Sequence, residues 1–228
     1  MENNTIFKNL KGDLISLGFS FYGDIPTRAA DPELTLLRAL PFFYQDRKIF
    51  RMLLRWCLVT ASLLHVERLS KLSDDLELDL VPILGALSKK LVVSGDRRFK
   101  LIYEKMRTKQ NHKKITIDVP EGYADSFLIS KYGQDSEFKD FNITIAKLDP
   151  EDEKKIIPLN GIVKVHRWLK LRTLVGANFR ADLVYWLTEK SVSNPNQAAK
   201  VLRCSRETAY RLWKEVSLFE DFSLLKQS

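Results

Sequence analysis

Cysteine is nearly missing from this 228-residue chain, with only Cys57 and Cys204, each in a helical context and far apart in sequence. Free thiols in a reducing compartment are therefore expected rather than a disulfide. The three histidines, His65, His112 and His166, stand apart, each without a second histidine or cysteine at ligand spacing, so no metal is expected. No apolar run approaches the roughly 18 residues that span a bilayer, and the opening MENNTIFKNLKGD lacks the charged-then-apolar layout of a secretion signal. A cytoplasmic protein without membrane association is the expectation. Glycine numbers only nine, and neither G-x-x-x-x-G-K-[ST] nor G-x-G-x-x-G nor G-x-S-x-G occurs. Phosphate-cradling loops and the nucleophile elbow are thus unsupported, and no cofactor, catalytic residue or enzymatic activity is expected.

Basic charge, by contrast, is plentiful: 37 Lys and Arg face 29 Asp and Glu, for a formal net charge of +8. Its distribution says more than its size. Residues 161–228 hold 12 basic against 6 acidic side chains and residues 47–104 hold 11 against 7, whereas residues 105–160 balance at 10 each and residues 1–46 are acidic by two. The excess therefore concentrates at the C-terminal end, where binding to phosphates by counterion release would need it.

That end contains NPNQAAKVLRCSRETAYRLWKE, residues 194–215, in which two short helical patterns meet across Arg203-Cys204-Ser205. Asn194 suits an N-cap and Pro195 the first helical position, where its missing N–H costs nothing. Ala198, Ala199 and Leu202 form the buried stripe of this first helix. Ser205 can cap the second, whose apolar Ala209, Leu212, Trp213 and Val216 fall at i, i+3, i+4 and i+7 and define one buried face. The spacing predicts a helix-turn-helix, with Arg206, Tyr210, Arg211 and Lys214 on the outside of the recognition helix. Arg206 is the expected base reader, since an arginine fork can bond O6 and N7 of guanine together. Thr208 and Tyr210 are expected at phosphates or thymine methyls, Lys214 at a phosphate, and Lys200, Arg203 and Ser205 on the same face. Glu207 could orient Arg206 or accept from a cytosine amino group, although an acid near a helix N-terminus also satisfies a plain dipole preference. The alternative is an amphipathic helix pair of an ordinary all-α domain.

RADLVYWLTEK, residues 180–190, places Leu183, Trp186 and Leu187 on one face and supplies the first helix of a three-helix unit. Residues 171–216 resemble the helix-turn-helix of bacterial winged-helix regulators often paired with nucleotidyltransferase toxins. The resemblance lies in a lead-in of Leu171, Arg172, Leu174, Gly176, Arg180, Ala181 and Asp182, and in a core of Ala199, Lys200, Leu202, Ser205 and Thr208, about a fifth of the chain. It implies a transcriptional regulator of antitoxin type. Two departures stand out: Arg203 occupies a position where such motifs usually carry glycine, and the few residues after the recognition helix leave no room for a full β wing. The Gly-Ser and spaced aspartates of the toxins themselves are lacking.

A second winged helix is predicted over residues 47–104. Arg47 to Ala61 is dense in Ile49, Phe50, Leu53, Leu54, Trp56, Cys57 and Leu58 and reads as a buried helix. Val66, Leu69 and Leu72 mark the next, and Asp79 is expected to cap a third that carries Pro82 in its first turn. LVVSGDRRFKLIY, residues 91–103, then reads as a hairpin about Ser94-Gly95-Asp96. The acids Asp74, Asp75, Glu77 and Asp79 would repel phosphates and do not converge as a metal site would require. Only the hairpin tip, Arg97, Arg98 and Lys100, is expected to reach a DNA backbone. This domain is therefore assigned to dimerisation or a protein partner.

Residues 1–46 are expected to add helical packing, with a helix at Thr5–Leu17 and another capped by Asp31 ahead of Pro32. Between 105 and 160, KKITIDV and FNITIAKL alternate like half-buried strands, SFLISKY is a further candidate, and DPEDEKKIIPLNG reads as an exposed connector before one long helix from Ile162 to Val175. The fold class so read is mainly α with small β: two winged-helix or helix-turn-helix domains joined by a β-containing segment. The expected function is a sequence-specific regulator binding double-stranded DNA, as a homodimer. An antitoxin or other module that binds a toxin or different protein partner is the alternative, and a replication-initiator-like protein the third.

Overall fold

The computed structural model describes residues 3–23, 29–113 and 126–217. Among these residues the chain is mainly helical. Helix α1 (Asn3–Ser16) leads to α2 (Pro32–Ala39), where Asp31 accepts from the Leu34 N–H and Pro32 opens the first turn, as the sequence predicts. After the single turn α3 (Phe42–Gln45) comes α4 (Arg47–Thr60), capped by Asp46 and carrying Ile49, Phe50, Leu53, Leu54, Trp56 and Cys57 into the interior. Trp56 is fully buried, and its indole N–H finds the Leu17 carbonyl at 2.7 Å, which fastens α1 to α4. Then follow α5 (Val66–Leu72) and α6 (Val81–Val93). Asp79 does not cap α6: it lies in the 3₁₀ turn Leu78–Leu80, its carbonyl accepts from the Tyr44 hydroxyl, and Leu80 takes the cap position without a side-chain bond.

The predicted hairpin at residues 91–103 is replaced by helix. Leu91 to Val93 continue α6, and α7 (Lys100–Lys113) folds back along it after the 3₁₀ turn Arg97–Phe99. The turn signals Ser94-Gly95-Asp96 instead make a helix stop. Gly95 adopts φ +116, the Gly95 N–H bonds the Val92 carbonyl, and the Asp96 N–H reaches back to Leu91. Phe99 and Ile102 of the expected hairpin instead join Met106 at i, i+3 and i+7 of a helical stripe, and all three are fully buried. Residues 47–104 therefore have no hairpin wing, and Arg97, Arg98 and Lys100 sit at a helix start rather than a wing tip.

The expected strands of the middle segment are also absent among the described residues. SFLISKY is helix α8 (Ser126–Tyr132). FNITIAKL begins at the end of the 3₁₀ turn Ser136–Phe141 and pairs only through an isolated bridge of Ala146 with Gln134, while Ile143 and Ala146 are buried. KKITIDV lies, apart from Lys113, outside the described residues. Gly85 shows how tightly this segment packs on α6, since a Cβ there would stand 2.3 Å from the Phe141 ring. The connector is not simply exposed either: after the 3₁₀ turn Pro150–Lys155, Ile156 is buried and bridges Phe19.

The long helix expected from Ile162 to Val175 breaks at His166, which has extended φ −98 and ψ 96. It separates α9 (Leu159–Val165) from α10 (Arg167–Val175) and caps the latter. The break turns the apolar stripe, so Ile162, Trp168 and Leu169 are buried while Val165 and Val175 face outward. After Gly176 come α11 (Phe179–Thr188), α12 (Pro195–Leu202) and α13 (Arg206–Val216). One core runs from Leu10 to Leu169 and a second, of Phe179, Leu183, Val192, Ala198, Ala199, Leu202, Ala209, Leu212 and Val216, holds the last three helices. The boundary between cores thus falls after α10, because Ile162 and Leu169 belong to the first. None of the helices among the described residues is long and apolar enough to cross a membrane.

Candidate nucleic-acid interface

The C-terminal helix pair is built by local chemistry that the sequence displays openly. Asn194 accepts from the Gln197 N–H at 3.0 Å, and Gln197 reciprocates by accepting from the Ser193 N–H at 2.9 Å, so two free donors at the start of α12 are satisfied. The helix ends with the Cys204 N–H on the Ala199 carbonyl and the Arg203 N–H on that of Lys200, a Schellman closure. Such a closure demands a left-handed residue at its centre, and Arg203 supplies it at φ 56 and ψ 42. The residue that departs from the glycine of the resembled motif thus adopts the conformation that glycine would favour. Ser205 then caps α13 by accepting from the Thr208 N–H at 3.1 Å, and its hydroxyl donates to Thr208 Oγ1 at 2.9 Å.

On α13 the inner stripe is Ala209, Leu212 and Val216; Trp213 packs at its margin and is half-buried rather than enclosed. The outer face presents Arg206, Glu207, Tyr210, Arg211 and Lys214 to solvent, with Tyr210 53% exposed. Arg211 is loosely held by Glu215 at 3.2 Å, and Glu215 also receives Arg180 at 2.6 Å. Lys200, Arg203 and Arg206 have no side-chain partner among the described residues, and all three line one open groove of about 750 Å3. The N-terminal unit forms its opposite wall with Lys71, Asp74 and Asp75. Of the acids, Asp74 is paired with Lys105 at 2.8 Å, and that hydrogen bond holds its carboxyl below the usual range.

Arg97, Arg98 and Lys100 do not join this group. Arg98 is held at home by Asp96 at 2.6 Å and by the Ala61 carbonyl at 2.8 Å, so its charge is already partly spent on tying the start of α7 to the end of α4. Among the described residues no three His, Cys, Asp or Glu side chains converge as a metal site.

A buried charge cluster, unforeseen in the sequence, joins the C-terminal helices to the rest of the chain. Arg172 and Asp182, both in the lead-in motif, are wholly enclosed. The Arg172 fork gives Glu33 two bonds of 2.6 and 2.8 Å, reaches the Leu63 carbonyl at 2.9 Å, and meets Asp182 at 2.8 Å. Arg68 from α5 bonds Asp31 and shares Glu33 at 2.7 Å. Asp182 also accepts the Trp168 indole N–H at 2.6 Å and lies 2.6 Å from His65 Nδ1. The Trp168 ring has both guanidinium groups 5.2 Å from its centre and stacks on Tyr185 at 4.4 Å. Burial is the largest single influence and works against ionisation of Asp182 and Glu33, but Arg172 and Arg68 together, with the His65 hydrogen bond at Asp182, outweigh it and hold both carboxyls below their ordinary values.

Helix α11 is therefore enclosed from two sides. Leu183, Trp186 and Leu187 face α12 and α13, as predicted, whereas Asp182 and Tyr185 dock on the N-terminal unit, where the Tyr185 hydroxyl donates to the Ala29 carbonyl at 3.3 Å. The only hint in the sequence is the placement of ionisable residues within apolar stripes, Glu33 among the leucines of α2 and Arg68 between Val66 and Leu69. No family model, no curated protein and no solved structure matches the chain.

Proposed function

We propose that this protein is a sequence-specific DNA-binding regulator in which α12 and α13 form a helix-turn-helix and α13 is the recognition helix. The carrying observation is the division of α13 into a buried stripe, Ala209, Leu212 and Val216, and an exposed face whose N-terminal Arg206 is unpaired and flanked by unpaired Lys200 and Arg203. A helix held from behind with its basic N-terminal end open is what entry into a major groove requires. The segment with the largest basic excess is also the one that carries this pair. The buried cluster supports the reading from the other side, because it gives α11, and through it α13, a fixed orientation on the rest of the chain.

Arg206 and Lys214 both point outward but lie two turns apart, and their roles separate by experiment. After selection of bound fragments defines a preferred duplex, Arg206→Ala should lose about 1–3 kcal/mol on that duplex and relax discrimination at one base pair. Lys214→Ala should weaken every sequence alike and lower the salt slope by about one. Equal losses on matched and mismatched duplexes for Arg206→Ala would mean that the helix positions but does not read. Absence of any salt-sensitive duplex binding by the whole chain would sink the proposal.

A further inference from the structure

We propose that the groove between α5 and the α12–α13 turn carries one phosphodiester strand of the bound duplex, with Lys71 supplying a phosphate contact from the N-terminal unit and Asp75 opposing it. The inference rests on the DNA-binding reading above and extends it to residues outside the helix pair. When the N-terminal end of a second helix enters a major groove, the first helix crosses the flanking backbone. Here the side of α13 from which α12 approaches is the groove itself, since Arg206 and the α12 residues Asn196 and Lys200 share its lining. A backbone strand lying there is confined by the facing wall, which is the end of α5 and the turn that follows.

The charge of that wall is mixed in an informative way. Lys71 is exposed and forms no hydrogen bond or ion pair among the described residues, although its charge acts on the nearby Asp74. Asp74 is neutralised locally by Lys105, and Lys109 donates to the Asp74 carbonyl at 2.9 Å. Asp75 alone presents an exposed carboxylate without a cation. Four cations held in no hydrogen bond or ion pair, Lys71, Lys200, Arg203 and Arg206, thus line a groove with one uncompensated acid. Phosphate contacts of this kind carry no sequence information and add to affinity through released counterions.

The test uses the full chain on matched and mismatched duplexes over a range of salt. Lys71→Ala should weaken both duplexes about fivefold near physiological salt and lower the salt slope by about one. Asp75→Asn should tighten both by a similar factor, an outcome that damage to the fold cannot imitate. Lys147→Ala, which removes an exposed lysine that lines no part of the groove, should leave affinity and slope unchanged. If the wild-type chain binds duplex and Arg206→Ala behaves as a reader while the Lys71 and Asp75 variants match the Lys147 control, the groove assignment is wrong and the recognition helix stands. If no duplex is bound at all, both fall together.

Discussion

Arg203 holds the tightest position in the C-terminal turn under a conformational penalty. A residue with a Cβ in the left-handed region costs roughly 1–2 kcal/mol, part of which glycine recovers at the expense of a freer unfolded chain. Arg203→Gly is therefore expected to raise the denaturation midpoint by about 0.5–1 kcal/mol equivalent while weakening duplex binding through loss of a groove cation. A variant no more stable than wild type would mean that packing, not backbone preference, holds the turn. His166 carries a pH dependence. Its Nδ1 accepts the Leu169 N–H at 3.2 Å, which leaves Nε2 to donate to the Ala30 carbonyl at 3.0 Å, so the neutral ring is fully used and a second proton would face an N–H. Burial, with Arg172 also nearby, pushes its pKa down to about 4. Because the unfolded ring takes its proton near pH 6.5, stability should fall as pH drops from about 6.5 towards 4, by up to about 3 kcal/mol. Glu33 and Asp182, held below their usual range, add their own loss only at still lower pH, below about 4. His166→Asn keeps a capping oxygen and should flatten the upper window; an unchanged slope there would place its origin elsewhere.

At the scale of elements, the cluster around α11 and the surface pair on α13 make a direct comparison. Asp182→Ala would leave Arg172, His65 and the Trp168 N–H facing an empty site in the interior, a loss of about 3–5 kcal/mol. Glu215→Ala, which removes the exposed partner of Arg180 and Arg211, should leave stability unchanged. Parallel chemical denaturation of the two variants decides it, and similar losses would show that the enclosed charges do not govern docking. The same elements explain what could be read in advance. The bounds and caps of α12 and α13 are legible because their signals are local: Asn194, Pro195 and Ser205 act within one turn of themselves, whereas Trp213, expected on the buried face, lies at its margin. The residues from Leu91 to Tyr103 misled because Ser94-Gly95-Asp96 serves a Schellman stop as well as a hairpin, and only packing against α6 decides between them. Arg172 and Asp182 enter the sequence reading only as members of the lead-in motif, and their burial is not legible there because their partners Glu33 and His65 lie more than a hundred residues away in sequence.

For the whole molecule, the question is whether the C-terminal unit is independent. A boundary at residue 161 follows from charge and composition, yet Ile162 and Leu169 complete the core that begins at Leu10, and Glu33 and Arg68 complete the charge cluster of α10 and α11. Cutting there exposes the apolar side of α10 and strands Arg172 and Asp182 without their N-terminal partners. What remains is a second core of nine buried residues, small for a unit of this length. Residues 161–228 alone are therefore expected to lose the cooperative thermal transition of the full chain, which should itself melt as one unit. Restoring the N-terminal segment as a separate chain should recover the transition if docking, rather than chain connection, is what the fragment lacks. A fragment that melts cooperatively within a few degrees of the whole protein would show that the three-helix unit stands without the cluster, and that Glu33 and Arg68 orient it but do not hold it folded.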